Sequence, residues 1–428
     1  MFKNVKRFFA KLGPGVITGA SDDDPSGIAT YSIAGAAFGL ALNWLTLFLY
    51  PLMVATQEMC GRIGLVTGQG LAGVLRLHYA KPFMYAAVLL LLVANVINIG
   101  ADIGAMAASA NMIIPIPFVA WAVLFTILII TLEISLPYKS YSKVLKWLAA
   151  VLVVYILTAF VVQPDWIKVV GSLFRPSIEF NTGFLAAIVA FAGTTISPYL
   201  FFWQASEEVE EEVEKHEIIA PGRGKPKLLR GSLSNLRFDT AIGMFWSNLA
   251  TFFIIVTTYA TLHLSGKTSI NSAQEAASAI EPLVRAFPFA GFLAKLFFAL
   301  GVVGLGLLAV PVLAGSAAYA LSESFGWREG LYLKFKRAHG FYGVIIVATL
   351  IGLLINFLGI NPIEMLFITA VINGLIAPPL ILLILFIGNN KNVLGQRTNG
   401  ALSNIFGTTT LIVMSVASLF LLGSYFFG

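Results

Sequence analysis

Three consecutive aspartates, Asp22, Asp23 and Asp24, are followed directly by Pro25, Ser26 and Gly27. Carboxylates gathered in this way offer hard oxygen donors to a cation. The run lies inside an otherwise apolar stretch from about residue 13 to residue 40, long enough to cross the hydrocarbon core of a bilayer. An acid at that depth is costly and rarely serves packing. Pro, Ser and Gly are poor residues for a helix interior, so the segment is expected to break at this point. A helix broken beside buried acids exposes backbone carbonyls to a cation, as in many transporters. The predicted chemistry is capture of a positively charged solute midway through a membrane. A second break, Thr194-Thr195-Ile196-Ser197-Pro198, supplies hydroxyls and free carbonyls in a later apolar segment.

The elements that must position these groups are membrane helices. The chain has 428 residues, 58% hydrophobic and 11% charged, with a mean hydropathy of +0.87; a soluble domain carries about 25% charged residues. Eleven apolar segments lie near 14–40, 44–66, 83–112, 117–136, 144–163, 182–204, 238–262, 289–321, 340–358, 363–387 and 404–427. They are too long for the alternating strands of a membrane barrel. With the N-terminus placed in the cytoplasm, 22 of the 27 Lys and Arg residues fall on the inner side, as the positive-inside rule requires. The expectation is a multi-pass cell-membrane protein, N-terminus cytoplasmic and C-terminus extracellular. Lys3, Lys6, Arg7 and Lys11 precede no clean apolar core, so no cleaved signal is expected. The stretch 205–236, acidic at first and then basic, reads as a solvated helix end and a cytoplasmic linker. Phe201, Phe202 and Trp203 read as interfacial aromatics.

The two Pro-containing breaks lie five helices apart, the sequence sign of two inverted five-helix halves. The reading is an all-α integral membrane protein of eleven helices, with helices one and six broken. It forms one transmembrane domain, with a first repeat at about 14–163, a second at about 182–387 and an extra helix at about 404–427.

The segment from Gly13 to Gly39 resembles the first helix of the Nramp family of divalent-metal transporters, whose break reads Asp-Pro-Gly-Asn where this chain has Asp24-Pro25-Ser26-Gly27. Residues 61–71 resemble the turn after the family's second helix. Gly193 to Tyr199 is similar to its Ala-x-x-Met-Pro-His, and residues 304–326 to its eighth helix. The resemblance implies a leucine-transporter-like fold and a metal site formed by Asp24, the Thr194 carbonyl and Ser197. Gly27 stands in place of the family's Asn ligand, and Ser197 in place of its Met. A thioether favours transition metals. Its loss, with that of the Asn side chain, implies a roomier all-oxygen site suited to Mg²⁺, which dehydrates reluctantly. The pattern is most like the divergent Nramp-related magnesium transporters. Asp23 is expected to join through water, or with Asp22 to attract cations by its field.

The family's third helix carries an Asp followed three residues later by a Glu. Asp102 matches the Asp, but Ala105 stands where the Glu belongs, and Tyr199 replaces the sixth-helix His. Weak or absent proton coupling is therefore expected. Asp102, Asn373 and Tyr199 are assigned to a residual proton path or to support of the ion site. Glu58 is expected to pair with Arg62 at i,i+4, and Gly100, Gly104 and Ala108 to form a helix-contact stripe. No nucleotide loop, catalytic triad or zinc spacing occurs, and Cys60 is the sole cysteine. The expected protein is not an enzyme and needs no cofactor. It is expected as a monomer in the bilayer, carrying Mg²⁺ (with Mn²⁺ tolerated) inward as substrate and binding no nucleic acid. The alternatives are a proton-coupled Mn²⁺ or Fe²⁺ transporter, a transporter of organic substrates on the same scaffold, and a non-transporting membrane sensor.

Overall fold

The structure, a computed structural model, describes residues 13–135, 152–224, 226, 228 and 231–427. Lys3, Lys6, Arg7, Lys11, Lys139, Lys143, Lys146, Lys225, Lys227 and Arg230 lie outside the described residues, as does the first part of the expected segment 144–163.

The first expected segment is two helices, α1 (Pro14–Asp22) and α2 (Pro25–Phe38). There follow α3 (Trp44–Thr67), the short α4 (Leu71–His78), α5 (Lys81–Asn111), α6 (Phe118–Ser135), α7 (Val153–Val162) and α8 (Trp166–Ser172). The sixth segment is again split, into α9 (Thr182–Thr195) and α10 (Pro198–Glu214). Then come α11 (Ser232–Thr261), two short helices α12 (Ala273–Ser278) and α13 (Glu281–Val284), and α14 (Ala290–Phe325). The chain ends with α15 (His339–Ile355), α16 (Pro362–Asn389), α17 (Lys391–Leu394) and α18 (Ala401–Phe427). Eight helical spans among the described residues are long and apolar enough to cross a membrane. Leu89, Ile127 and Leu354, each more than half exposed, lie on faces suited to lipid.

The two broken helices pair antiparallel. After the first break and before the second, Tyr31 of α2 packs on Phe191 of α9 at 5.0 Å between ring centroids, and Phe38 packs on Phe184 at 5.0 Å. Before the first break and after the second, Thr18 of α1 meets Gln204 of α10. One segment therefore passes from the α1/α10 side to the α2/α9 side, and the other returns. That is the relation an inverted repeat requires.

Small residues let the helices approach. A Cβ on Gly19 would stand 2.3 Å from the Gly243 carbonyl oxygen, so α1 lies directly against α11. The Gly100 and Gly104 face meets the end of α15, where Asn356 Nδ2 donates to the Gly100 carbonyl at 2.9 Å. Arg62 Nη2 reaches Glu58 at 3.1 Å, as its spacing predicts, and Arg237 adds a second cation at 3.0 Å.

Two expectations are corrected. Phe201, Phe202 and Trp203 are buried at 0%, 2% and 0% exposure, not interfacial; the break at Ser197 redirects α10 into the bundle, where Trp203 packs edge-on against Tyr319 of α14. The acidic run is not a solvated helix end either. The helix continues to Glu214, and Glu208, Glu210 and Glu212 are buried. Gln204 Nε2 donates to Glu208 at 2.9 Å, and the Tyr319 hydroxyl donates to Glu210.

Candidate functional site

Asp24 is the N-cap of α2, in extended backbone conformation, with Pro25 at the first helical position. Pro there forfeits no intrahelical bond. Asp24 Oδ1 accepts from the Gly27 amide and the Ser26 hydroxyl, both at 2.7 Å. The capping role and a ligand role are compatible, because a carboxylate has about four lone-pair sites. The N-terminus of α2 also favours negative charge at this point.

The other oxygen leads to a residue outside the set expected from the sequence. Asn98 of α5 donates through Nδ2 to Asp24 Oδ2 at 3.0 Å and to Asp102 Oδ2 at 3.1 Å. Its Oδ1 accepts from Asn373 Nδ2 of α16 at 3.2 Å. Asn98 thus joins Asp24, Asp102 and Asn373 from three separate helices, and all four residues are at most 2% exposed. Asp102 Oδ1 is buried without a partner. The i,i+4 spacing from Asn98 to Asp102 was legible; the reach of Asn98 to α2 and α16 depends on helix packing.

From the second break, the Thr194 hydroxyl lies 3.4 Å from Ser26 Oγ, so Thr194 faces Asp24 with its side chain. Ser197 Oγ donates back to the carbonyls of Thr194, at 2.7 Å, and Gly193, at 3.1 Å. Its proton therefore serves the carbonyls freed by the break. Tyr199 donates to the Ser21 carbonyl at 2.8 Å, tying the start of α10 to the end of α1. Gly27 lies between the two breaks. A Cβ there would stand 3.4 Å from Thr194 Oγ1 and 3.5 Å from Asp24 Oδ1. A longer side chain at this position would point into the space those oxygens share.

Asp22 and Asp23 turn elsewhere. The Ser247 hydroxyl of α11 lies 2.6 Å from Asp22 Oδ2 and 3.1 Å from Asp23 Oδ1. One hydroxyl has one proton to give, and Asp22 Oδ1 has no partner. The structure thus brings Asp24, Thr194, Gly27, Asp102 and Asn373 together. Asp23 is set toward α11, and Ser197 and Tyr199 bond to backbone.

The four carboxylates Asp22, Asp23, Asp24 and Asp102 are at most 4% exposed. Among the described residues no Lys or Arg lies within ion-pairing distance of these four. An Asp at a membrane-helix centre costs roughly 3 kcal/mol, and a positive charge in the site would offset that cost. Among the described residues no three Asp, Glu, His or Cys side chains converge closely enough to cage a metal. The donors near Asp24 are instead neutral oxygens, the pattern suited to an ion bound by one or two carboxylates and water.

The α1/α10 side of the site is closed. Asp239 accepts from the Gly13 and Gly15 amides at 2.9 and 2.7 Å, pinning the start of α1 to α11. The Thr18 hydroxyl donates to Gln204 Oε1, tying α1 to α10.

A profile of the family described as Natural resistance-associated macrophage protein-like matches residues 15–424. The divalent metal cation transporter MntH of Klebsiella pneumoniae is 26% identical over 429 residues, covering 97% of this chain and 94% of that protein. The protein of the same description from Listeria monocytogenes is 26% identical over 290 residues, and the match spans 65% of this chain and 62% of the Listeria protein's length. Among solved structures, the Eremococcus coleocola manganese transporter in complex with an aromatic bis-isothiourea substituted compound superimposes with a TM-score of 0.74. It is 16% identical, and the match covers 98% of this chain and 87% of that one. At that identity the likeness is one of fold.

Proposed function

The chain belongs to the Nramp family, and from that premise we propose that it moves a divalent metal cation into the cytoplasm, Mg²⁺ ahead of Mn²⁺, by alternating access and with little or no proton coupling. The observation that carries this reading is the site around Asp24. Asp24, a buried carboxylate at the first helix break with no ion-pairing Lys or Arg among the described residues, lies beside the neutral hydroxyl oxygens of Ser26 and Thr194, while the Asn98 amide N–H holds its second oxygen. Those hydroxyls are hard donors, and Gly27 puts no side chain of its own between Asp24 and Thr194. A Mg²⁺ ion retaining several waters fits such a set.

In the proposed cycle the ion meets Asp24 and the Thr194 carbonyl, while Asn98 holds the second carboxylate oxygen. Release requires α1 to leave α10 and α11, breaking the Asp239, Gln204 and Tyr199 bonds. Asp22 and Asp23 lie on the α1 side of the break and attract the ion along that route. Two charges moving inward gain about 4.6 kcal/mol per 100 mV of membrane potential, sufficient for uptake without protons. Tyr199, committed to the Ser21 carbonyl, and Ala105 supply neither the imidazole nor the carboxylate that the resemblance implies at these two positions.

Proton-coupled Mn²⁺ transport is the second reading, favoured by the manganese transporter among the structural relatives. Uptake of Mg²⁺ and Mn²⁺ into liposomes by the parent and by Asp24→Ala separates the two. Mg²⁺ influx lost in Asp24→Ala supports the first reading. Mn²⁺ influx accompanied by acidification, with no Mg²⁺ influx, supports the second.

A further inference from the structure

A cavity of about 570 Å³ opens between the α3–α4 turn, the 219–223 hairpin and the segment after α14. Four arginines line it: Arg76, Arg223, Arg328 and Arg337. Among the described residues none of the four lies within ion-pairing distance of a carboxylate. Four unpaired guanidinium groups around one concavity repel each other and attract an anion.

The cavity is built by specific contacts. Gly222 donates its amide to the Gly68 carbonyl at 2.7 Å, fixing the hairpin against the α3–α4 turn. Gly326 has φ +69°, and a Cβ there would stand 2.2 Å from Arg76 Nη1. Only glycine both adopts that backbone and lets the guanidinium lie across it. Neither acid at the wall reaches ion-pairing distance of an arginine, although both lie within the field of Arg76. Glu323 is turned away, accepting from the Gly73 amide at 2.8 Å and the Ser206 hydroxyl at 3.0 Å. Glu329 is buried with Oε2 unpartnered. Burial, reinforced by the nearby Glu323 and Glu210 carboxylates and opposed by Arg76, pushes it well above the usual carboxylate range.

We propose that this cavity binds a nucleoside polyphosphate, with the arginines on the phosphates. Arg recognises phosphate oxygens bidentately and stays charged at any physiological pH. The volume holds about nineteen waters, far more than one phosphate displaces. Trp327 and Tyr332 line the same space and supply the apolar wall that a base and ribose use. The ligand reaches the site from the cytosol, the side on which the Lys and Arg distribution is expected to place this face. The assay below does not depend on that orientation or on which metal is carried.

The test is calorimetric titration of the full-length protein, in uncharged detergent, with ATP, AMP and inorganic phosphate. Saturable ATP binding is expected, tighter than AMP and much tighter than phosphate. Arg76→Gln and Arg328→Gln should each weaken it about tenfold or more while leaving metal uptake in the absence of nucleotide unchanged. Gly326→Ala, which displaces Arg76, should also weaken it. No saturable ATP binding by the folded parent overturns the proposal, as does ATP binding that neither Arg variant weakens. The same titration in nanodiscs with and without phosphatidylglycerol separates the sources. Saturation by anionic lipid with no ATP binding also overturns the proposal.

Discussion

Replacing Asn98 by Ala tests the polar junction at its centre. The substitution removes two charge-assisted bonds, to Asp24 Oδ2 and Asp102 Oδ2, and leaves the Asn373 amide without its acceptor. Bonds to charged groups contribute about 1.5–3 kcal/mol each, which puts the loss at roughly 3–6 kcal/mol if nothing relaxes. The space vacated by the amide admits water, and a net destabilisation of about 2–3 kcal/mol is expected. The larger effect falls on ion binding. Asn98 orients a carboxylate proposed to hold the ion, and loss of such an orienting group typically costs 10–100-fold in metal affinity. The assay is Mg²⁺ uptake into liposomes as a function of concentration, alongside thermal unfolding with and without Mg²⁺. KM should rise by about that factor. Asn95→Ala is the control: Asn95 bonds the Leu313 carbonyl and Ser316, away from Asp24, so its loss should lower the unfolding temperature without moving KM. A KM in Asn98→Ala within about twofold of the parent, with equal loss of stability in both variants, would refute the reasoning.

Gly27→Ala places a methyl group 3.3–3.5 Å from Tyr31, Thr194 and Asp24; Mg²⁺ uptake should fall more than Mn²⁺ uptake, read by competition between the two ions. Ser197→Met adds a soft donor and should raise the Mn²⁺ to Mg²⁺ uptake ratio several-fold, at some cost in stability because the Gly193 and Thr194 carbonyls lose their donor. Asp239→Ala releases the Gly13 and Gly15 amides and should loosen α1. Thiol labelling of Ser21→Cys in a Cys60→Ala background, from the α1 side, should then speed up.

The architecture was largely legible because its signals are local. Long apolar runs specify membrane helices, and Asp24-Pro25 and Ser197-Pro198 each combine a helix breaker with an N-cap position. The antiparallel pairing of the two broken helices followed from their spacing. What was not legible depends on how helices rotate against one another. Asn98 looks like any polar residue in a membrane helix until α2 and α16 are packed beside it. Asp22 and Asp23 adjoin Asp24 in sequence, yet the break turns them toward Ser247 on another helix. Glu208 and Glu210 read as solvated because charge density dominates sequence reading, while the partners that receive them, Gln204 and Tyr319, are ordinary residues. Ser197 could be assigned as donor to the ion or to the backbone only once the carbonyls freed by Pro198 were in place.

The central claim is that the ion sits at the junction of the two breaks with part of its water retained. Anomalous scattering from Mn²⁺ soaked into crystals of the protein tests it most directly. The account predicts a single peak beside Asp24 and the Thr194 carbonyl, with Ser197 Oγ beyond about 3.5 Å and reached through water, and with the peak lost when Mg²⁺ is added in excess. A peak between Asp22, Asp23 and Ser247 with none at Asp24, or one that excess Mg²⁺ does not displace, would contradict it.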